Sequence, residues 1–256
     1  MGKLLKMDLY RMWKSMMSRI CLILAFALAV FYTPMLKIMF DLANKVSPEF
    51  NEIFPAEQEL SGILSDPFLL LNTMLIMLSL CFFFYTDLEN GYIKNIAGQM
   101  PLKGFTVLSK FIAAFLHNLI FVAAGIIGNT IGTVLVQRIV FDDSVADSVR
   151  ILVLKILLLQ SLCAILLLVV CTFRSKSVGM ILAVLFGLGL TSLIYMGISQ
   201  VLKPIFGQAT DISKYMPDAV MNEKPLQTVK ALAVAFVTGG IFLPLAIRVF
   251  DRKDVK

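Results

Sequence analysis

Six long apolar runs leave this chain few ways to fold: residues 21–40, 68–85, 111–136, 151–173, 178–202 and 229–250. Each is about 18 residues or longer, the length a helix needs to cross roughly 30 Å of hydrocarbon at 1.5 Å per residue. The runs are apolar around their full circumference, so a water-soluble domain would leave several of them facing solvent. A mean hydropathy of +0.86, with 59% hydrophobic and 16% charged residues, points the same way. The expectation is an all-α membrane protein. It has six transmembrane helices in a single domain over 1–256, with an amphipathic helix ahead of the first span.

The net charge of +6 carries its meaning in where the charges lie, and it is not a nucleic-acid signal. Threading the six runs puts 14 of the 23 basic residues and 5 of the 17 acids on the side of the N-terminus. The other side has 9 basic residues and 12 acids. This is the positive-inside bias, which predicts both termini in the cytoplasm. Residues 1–19 repeat Leu5, Leu9, Met12, Trp13, Met16 and Ile20 at helical spacing, opposite Lys3, Lys6, Arg11, Lys14 and Ser18. That pattern predicts a helix lying on the inner surface, with Trp13 at headgroup level and the basic residues against anionic lipid. The alternative is a plain cytoplasmic extension of the first span. Cys21, Cys81, Cys163 and Cys171 all fall inside apolar runs and imply no disulfide framework.

The connections differ in character. The acidic first outer loop, 41–67, holds Pro48, Pro55 and Pro67 and is long enough for short surface helices. The last outer segment, 203–228, mixes Pro204, Pro217 and Pro225 with apolar residues and could partly re-enter the membrane. Gly125, Gly128 and Gly132 share one face of the third run and permit close helix approach.

Enzyme chemistry is poorly supplied. One histidine excludes a multi-His metal site, and no G-x-S-x-G, H-E-x-x-H or phosphate-binding glycine loop occurs. Intramembrane polar residues mark pathways where they cluster. His117 with Asn118 is the first candidate, then Asn129, Gln160 and Thr191. For His117 a plain interhelical hydrogen bond is the competing and favoured reading. No carboxylate lies at mid-depth in any run, which argues against an ion-coupled carrier and against an intramembrane protease or lipid-modifying transferase.

The sharpest local signal joins the second and third runs on the inner side, from Thr86 through Glu89, Gly91, Tyr92, Ile93, Lys94, Asn95 and Ile96 to Pro101, Lys103 and Phe105. Residues 93–99 read as a short surface helix halted by Pro101. Tyr92, Ile93 and Ile96 would be its apolar anchors in a groove on a soluble partner; an ordinary solvated loop is the alternative. Here the chain resembles the permease subunits of the ABC-2 family of ATP-binding-cassette transporters. Those carry an acid, then Gly, a small basic turn and Pro-x-basic in the first inner loop; Glu89, Gly91, Lys94, Asn95, Pro101 and Lys103 match. The basic amphipathic start, the six runs, Tyr215-Met216-Pro217 before the last run and the Phe250–Asp254 ending extend the likeness over the whole chain. Gly104 departs from it, since many members have a polar or basic residue there.

The resemblance implies a permease in a bacterial plasma membrane that pairs with a second permease, identical or similar. It is driven by a separately encoded ATPase that binds ATP and Mg, with no cofactor in this chain. A cleft on the ATPase would receive 93–99 as a coupling helix. Compact members of this size resemble permeases for bacteriocin or lantibiotic immunity and antimicrobial-peptide export. Export of a lipid or drug-like amphiphile, and a non-transporting membrane scaffold or sensor, stand as alternatives.

Overall fold

The computed structural model describes residues 2–46, 54–65, 70–89, 104–141, 144–206, 212–223 and 225–252. Helix α1 (Gly2–Lys14) ends at Ser15, and α2 (Met16–Val46) begins one residue later. There follow β1 (Glu57–Glu59), α3 (Leu60–Ser65), α4 (Leu70–Glu89), α5 (Gly104–Val134), β2 (Arg138–Val140) and α6 (Val145–Phe173). The chain closes with α7 (Lys176–Gly187), α8 (Thr191–Phe206), a 3-10 turn (Ile212–Tyr215), α9 (Pro217–Met221) and α10 (Thr228–Arg252). Among the described residues, α2, α5, α6 and α10 are long and apolar enough to cross a membrane. The chain is thus a helical, multi-pass membrane protein.

The described part of the second run lies in α4, whose apolar stretch Leu71–Thr86 covers about 24 Å at 1.5 Å per residue. The run at 178–202, expected as one span, is broken: α7 and α8 meet at a bend of 94°. The cause lies in two glycines. Gly187 lets α7 press so closely on α4 that a Cβ there would collide with Met74. Gly189 takes a left-handed φ of 67° that costs glycine nothing. The Leu190 amide then bonds back to the Leu185 carbonyl at 3.0 Å, closing the turn. This is a broken span or a re-entrant element, a geometry that hydropathy along the sequence does not distinguish from a straight helix.

Helix α6 is the most buried of the long helices. It packs along α10 and also meets α3, α4, α5, α7 and α9. Leu158, Leu159, Leu162, Leu166 and Leu167 are all fully buried on it, which explains its nearly unbroken apolar sequence. A second pair, α2 with α5, packs through small residues. A Cβ on Gly128 would lie 2.9 Å from both the Ala29 Cβ and the Phe26 carbonyl oxygen, and one on Gly132 would strike the Val30 carbonyl. Gly128 and Gly132 of the glycine face read from the sequence are therefore contact points, and their partner is α2.

Contacts also sort the helix ends. Asp8 of α1 meets Ser109 near the start of α5, and Gly104 lies against Ile247 and Asp251 near the end of α10. The α6–α7 link, capped by Arg174 at φ 48°, brings Lys176 over the Phe82 ring of α4. One end of the bundle thus gathers α1, the end of α4, both ends of the α6–α7 link, the start of α5 and the end of α10. Its described basic residues include Lys3, Lys6, Arg11, Lys14, Arg19, Arg174, Lys176, Arg248 and Arg252.

At the opposite end, β1 pairs in parallel with β2 in the register Glu57–Arg138, Gln58–Ile139, Glu59–Val140. Gln137 Nε2 donates to the Pro55 carbonyl at 2.7 Å beside it. The expected short helix of the 41–67 loop is α3, and α2 itself runs on to Val46.

Replacing Gly132 by Ala should lower stability by about 1–3 kcal/mol, because backbone blocks the new methyl and α2 must move. Gly239, which has open space around it, should tolerate Ala within about 0.5 kcal/mol. Thermal unfolding of the two detergent-solubilised variants against wild type checks the contrast.

Candidate functional site

Polar side chains inside apolar helices are the natural place to seek a site, since the membrane offers them no partner. They fall in two layers. The first joins four helices near the basic end. His117 Nε2 and Ser79 Oγ are 2.9 Å apart, and Ser79 Oγ lies 3.0 Å from Ser18 Oγ, so α5, α4 and α2 share one hydrogen-bonded chain. The imidazole stacks on Phe121 with ring centroids 4.3 Å apart. Its neighbour Asn118 points to α6 instead, donating through Nδ2 to Gln160 Oε1 at 3.0 Å and to Cys163 Sγ at 3.2 Å. Gln160 Nε2 in turn donates to the Phe111 carbonyl at 2.9 Å.

The second layer lies twelve residues further along α5, about 18 Å away. Thr33 Oγ1 donates to Asn129 Oδ1 at 3.4 Å and is the same distance from Thr133 Oγ1, while Asn129 Nδ2 donates to the Ile63 carbonyl at 3.3 Å. His117, Asn118 and Asn129, grouped from the sequence as pathway residues, are therefore not one constellation. All three are buried and hydrogen-bond to neighbouring helices, while His117 Nδ1 and Asn118 Oδ1 have no hydrogen-bond partner among the described residues. Each of the three thus carries an interhelical hydrogen bond.

Several polar residues at the ends of spans were not singled out by sequence reasoning. Asp8 is buried although it sits among basic residues on α1, and it accepts a 2.5 Å bond from Ser109 Oγ. The buried stripe of α1 is Leu4, Asp8 and Met12, and it faces α5. The apolar face of α1 is thus shared between protein and surroundings: Leu5 and Leu9 pack on the core, while Trp13 and Met16 are exposed. The spacing of Leu4, Asp8 and Met12 at i, i+4 and i+8 was visible, but an acid on that stripe reads as an interruption until Ser109 is placed beside it. Lys110, also buried, lays its ammonium 4.6 Å from the centroid of the Phe83 ring, a favourable cation–π contact where water is scarce.

At the far end, Thr191 Oγ1, at the start of α8, donates to Asp218 Oδ2 on α9. Burial pushes the Asp218 carboxyl above the ordinary carboxylate range, and the Thr191 bond offsets part of that rise. This bond ties the bent element to the short helix after it. Within 203–228, α9 packs against the rest of the protein through buried Pro217, Asp218, Val220 and Met221. Beside it Lys230 Nζ bridges to Glu223 at 2.7 Å and 2.8 Å.

Of the residues assigned to ATPase coupling, Glu89 is exposed on the last turn of α4. Gly91, Tyr92, Ile93, Lys94, Asn95, Ile96, Pro101 and Lys103 lie outside the described residues. The chain re-enters the described structure at Gly104, where a Cβ would come within 2.6 Å of Ile247 Cγ2 and 3.1 Å of Asp251 Oδ2. A larger side chain at Gly104 would collide with α10. Among the described residues, no group of three or more His, Cys, Asp or Glu side chains could hold a metal ion. No protein-family model matches the chain, and no curated protein is significantly similar to it.

If the first polar layer is an interhelical tie, Asn118→Ala and Gln160→Ala should each destabilise the bundle, and the pair should couple. A double-mutant cycle on thermal unfolding in detergent should return about 0.6–1.7 kcal/mol. Strict additivity would mean that the bond contributes nothing to holding α5 on α6.

Proposed function

We propose that this chain is the membrane-spanning permease subunit of an ATP-driven exporter of the ABC-2 kind, working with a separate ATPase and a second permease. The observation that carries the reading is the anchoring of the two sides of segment 90–103. It leaves α4 at the exposed Glu89 and enters α5 at Gly104, which is packed on Ile247 and Asp251 of α10. Five residues on, Ser109 holds Asp8 of α1. Force applied to 90–103 would therefore reach three other helices through short, stiff contacts, as a coupling segment requires.

In this reading, closure of the ATPases moves 90–103, and α4, α5, α1 and α10 follow as units. Tyr92, Ile93 and Ile96 seat in the ATPase cleft, with Glu89, Lys94 and Lys103 as its polar contacts. ATP and Mg belong to the partner chain. The basic end faces the cytoplasm of a bacterial cell, by the positive-inside rule. The cargo is an amphipathic or antimicrobial peptide, for which the acidic stretch 41–67 on the opposite side offers charge complementarity to a cationic molecule.

Purification of the solubilised protein from its native membrane, with identification of bound chains, tests the reading. Recovery of a nucleotide-binding ATPase is expected, and its amount should fall about tenfold or more for the triple variant Glu89→Ala/Ile93→Asp/Ile96→Asp, since charged groups in an apolar cleft cost several kcal/mol. An unchanged ATPase yield and unchanged peptide flux in that variant would remove the coupling role from this segment. Recovery of the ATPase without measurable flux would favour a scaffold or sensor.

A further inference from the structure

A cavity of about 160 Å³ opens between α1, α2 and α5 at the basic end of the bundle. Leu22 and Ile23 of α2 and Ile120 and Phe121 of α5 form its apolar walls, Ser18 and His117 also line it, and Trp13 and Arg19 stand at its rim. Ser18 Oγ and His117 Nε2 are engaged with Ser79 and the accessible lining is apolar, so a water molecule inside would lack the two to four polar partners it needs. An apolar cavity of roughly 150 Å³ stays dry and accepts hydrocarbon guests. The surroundings say where such hydrocarbon comes from. Ile20, Ile23 and Leu24 are exposed on the flank of α2, so the cavity opens toward lipid tails.

The rim is charged in one sense only. Arg19 is exposed and uses one donor, Nη2, on the Lys14 carbonyl at 3.3 Å. Lys14 is exposed beside it, with its ammonium 5.0 Å from the centroid of the Tyr10 ring. The one acid of α1, Asp8, is turned inward to Ser109 and buried. Among the described residues, no acid lines the cavity. Trp13, 59% exposed, has the amphipathic ring that settles at the boundary between headgroups and tails.

We propose that this cavity is a binding site for an anionic phospholipid of the leaflet on which α1 lies. One acyl chain enters between Leu22, Ile23, Ile120 and Phe121, and the phosphate is held at Arg19 beside Lys14. Such a lipid fills the gap left by the break at Ser15 and braces α1 against α2 and α5. The site is independent of whether the chain transports anything.

Trp13 is the sole tryptophan, which supplies a reporter at the rim. The full chain is reconstituted in phosphatidylcholine nanodiscs doped with phosphatidylglycerol or phosphatidylcholine brominated on the acyl chain, and quenching of Trp13 is read against mole fraction. Brominated phosphatidylglycerol should reach half-maximal quenching at about a fivefold lower mole fraction than brominated phosphatidylcholine, the preference one arginine gives beside an anionic lipid. Arg19→Gln should abolish the preference. Arg248→Gln, which removes the same charge from the exposed side of α10, should preserve it. Ile120→Phe, which fills the cavity, should weaken quenching by both lipids while leaving the tryptophan in place. Equal quenching by the two lipids, a preference that survives Arg19→Gln, or its equal loss in Arg248→Gln would overturn the site and leave only general attraction of lipid to a basic surface.

Discussion

A polar side chain in the hydrocarbon layer has nothing to bond to except another part of the protein, and this requirement organises the bundle. Water would let Asn118 or His117 take any orientation; here each must find a fixed partner on a different helix. Asn118 meets Gln160 and thereby sets α5 against α6. His117, one residue along and pointing to another face, meets Ser79 and brings in α4, and Ser79 meets Ser18 on α2. The apolar contacts around these bonds are numerous but not selective, since leucine packs on leucine nearly as well in several registers. Around α6 the leucines supply bulk, and the few polar pairs select the alignment.

The same logic divides the chain into what its sequence reveals and what it hides. Membrane character was legible because it depends on the sum over a run: Leu158 through Leu167 need no partner to be recognised as buried. The glycine face on α5 was legible because three small residues at helical spacing have few other uses, although nothing in the sequence named α2 as the partner. Long-range polar pairing was not legible. Ser109 is 101 positions from Asp8, and Asp218 is 27 positions from Thr191, so neither member marks the other. His117, Asn118 and Asn129, picked for polarity alone, take part in hydrogen bonds in two separate layers, a division that polarity along the chain does not show. The break at residues 188–190 was hidden for a different reason: Gly187 and Gly189 sit in an apolar context that a helix would tolerate, and only the close approach to Met74 and the left-handed turn show their use.

Among the described residues, the basic end is joined more directly than the charge pattern alone suggested. Gly104 on Ile247 and Asp8 on Ser109 link the start of α5 to both terminal helices. A sequence reader sees positive charge here and infers orientation. The three-dimensional arrangement adds that the first and last helices share a mechanical footing, whatever binds there.

The bend after α7 has a consequence for the bilayer itself. Twelve residues of α7 account for about 18 Å of depth, against roughly 30 Å of hydrocarbon. Beyond it the chain turns by 94°, and α8 presents Leu193, Met196 and Val201 outward. The pair has the shape of a short post surmounted by a crossbeam. Lipid tails following such a shape would have to shorten, tilt or splay, the response to hydrophobic mismatch that elsewhere sorts proteins among membranes of different thickness. Were α7 and α8 to stand in a bilayer in this shape, the thinning they ask for would fall on this flank, and the cost would vary with the chain length of the neighbouring lipids.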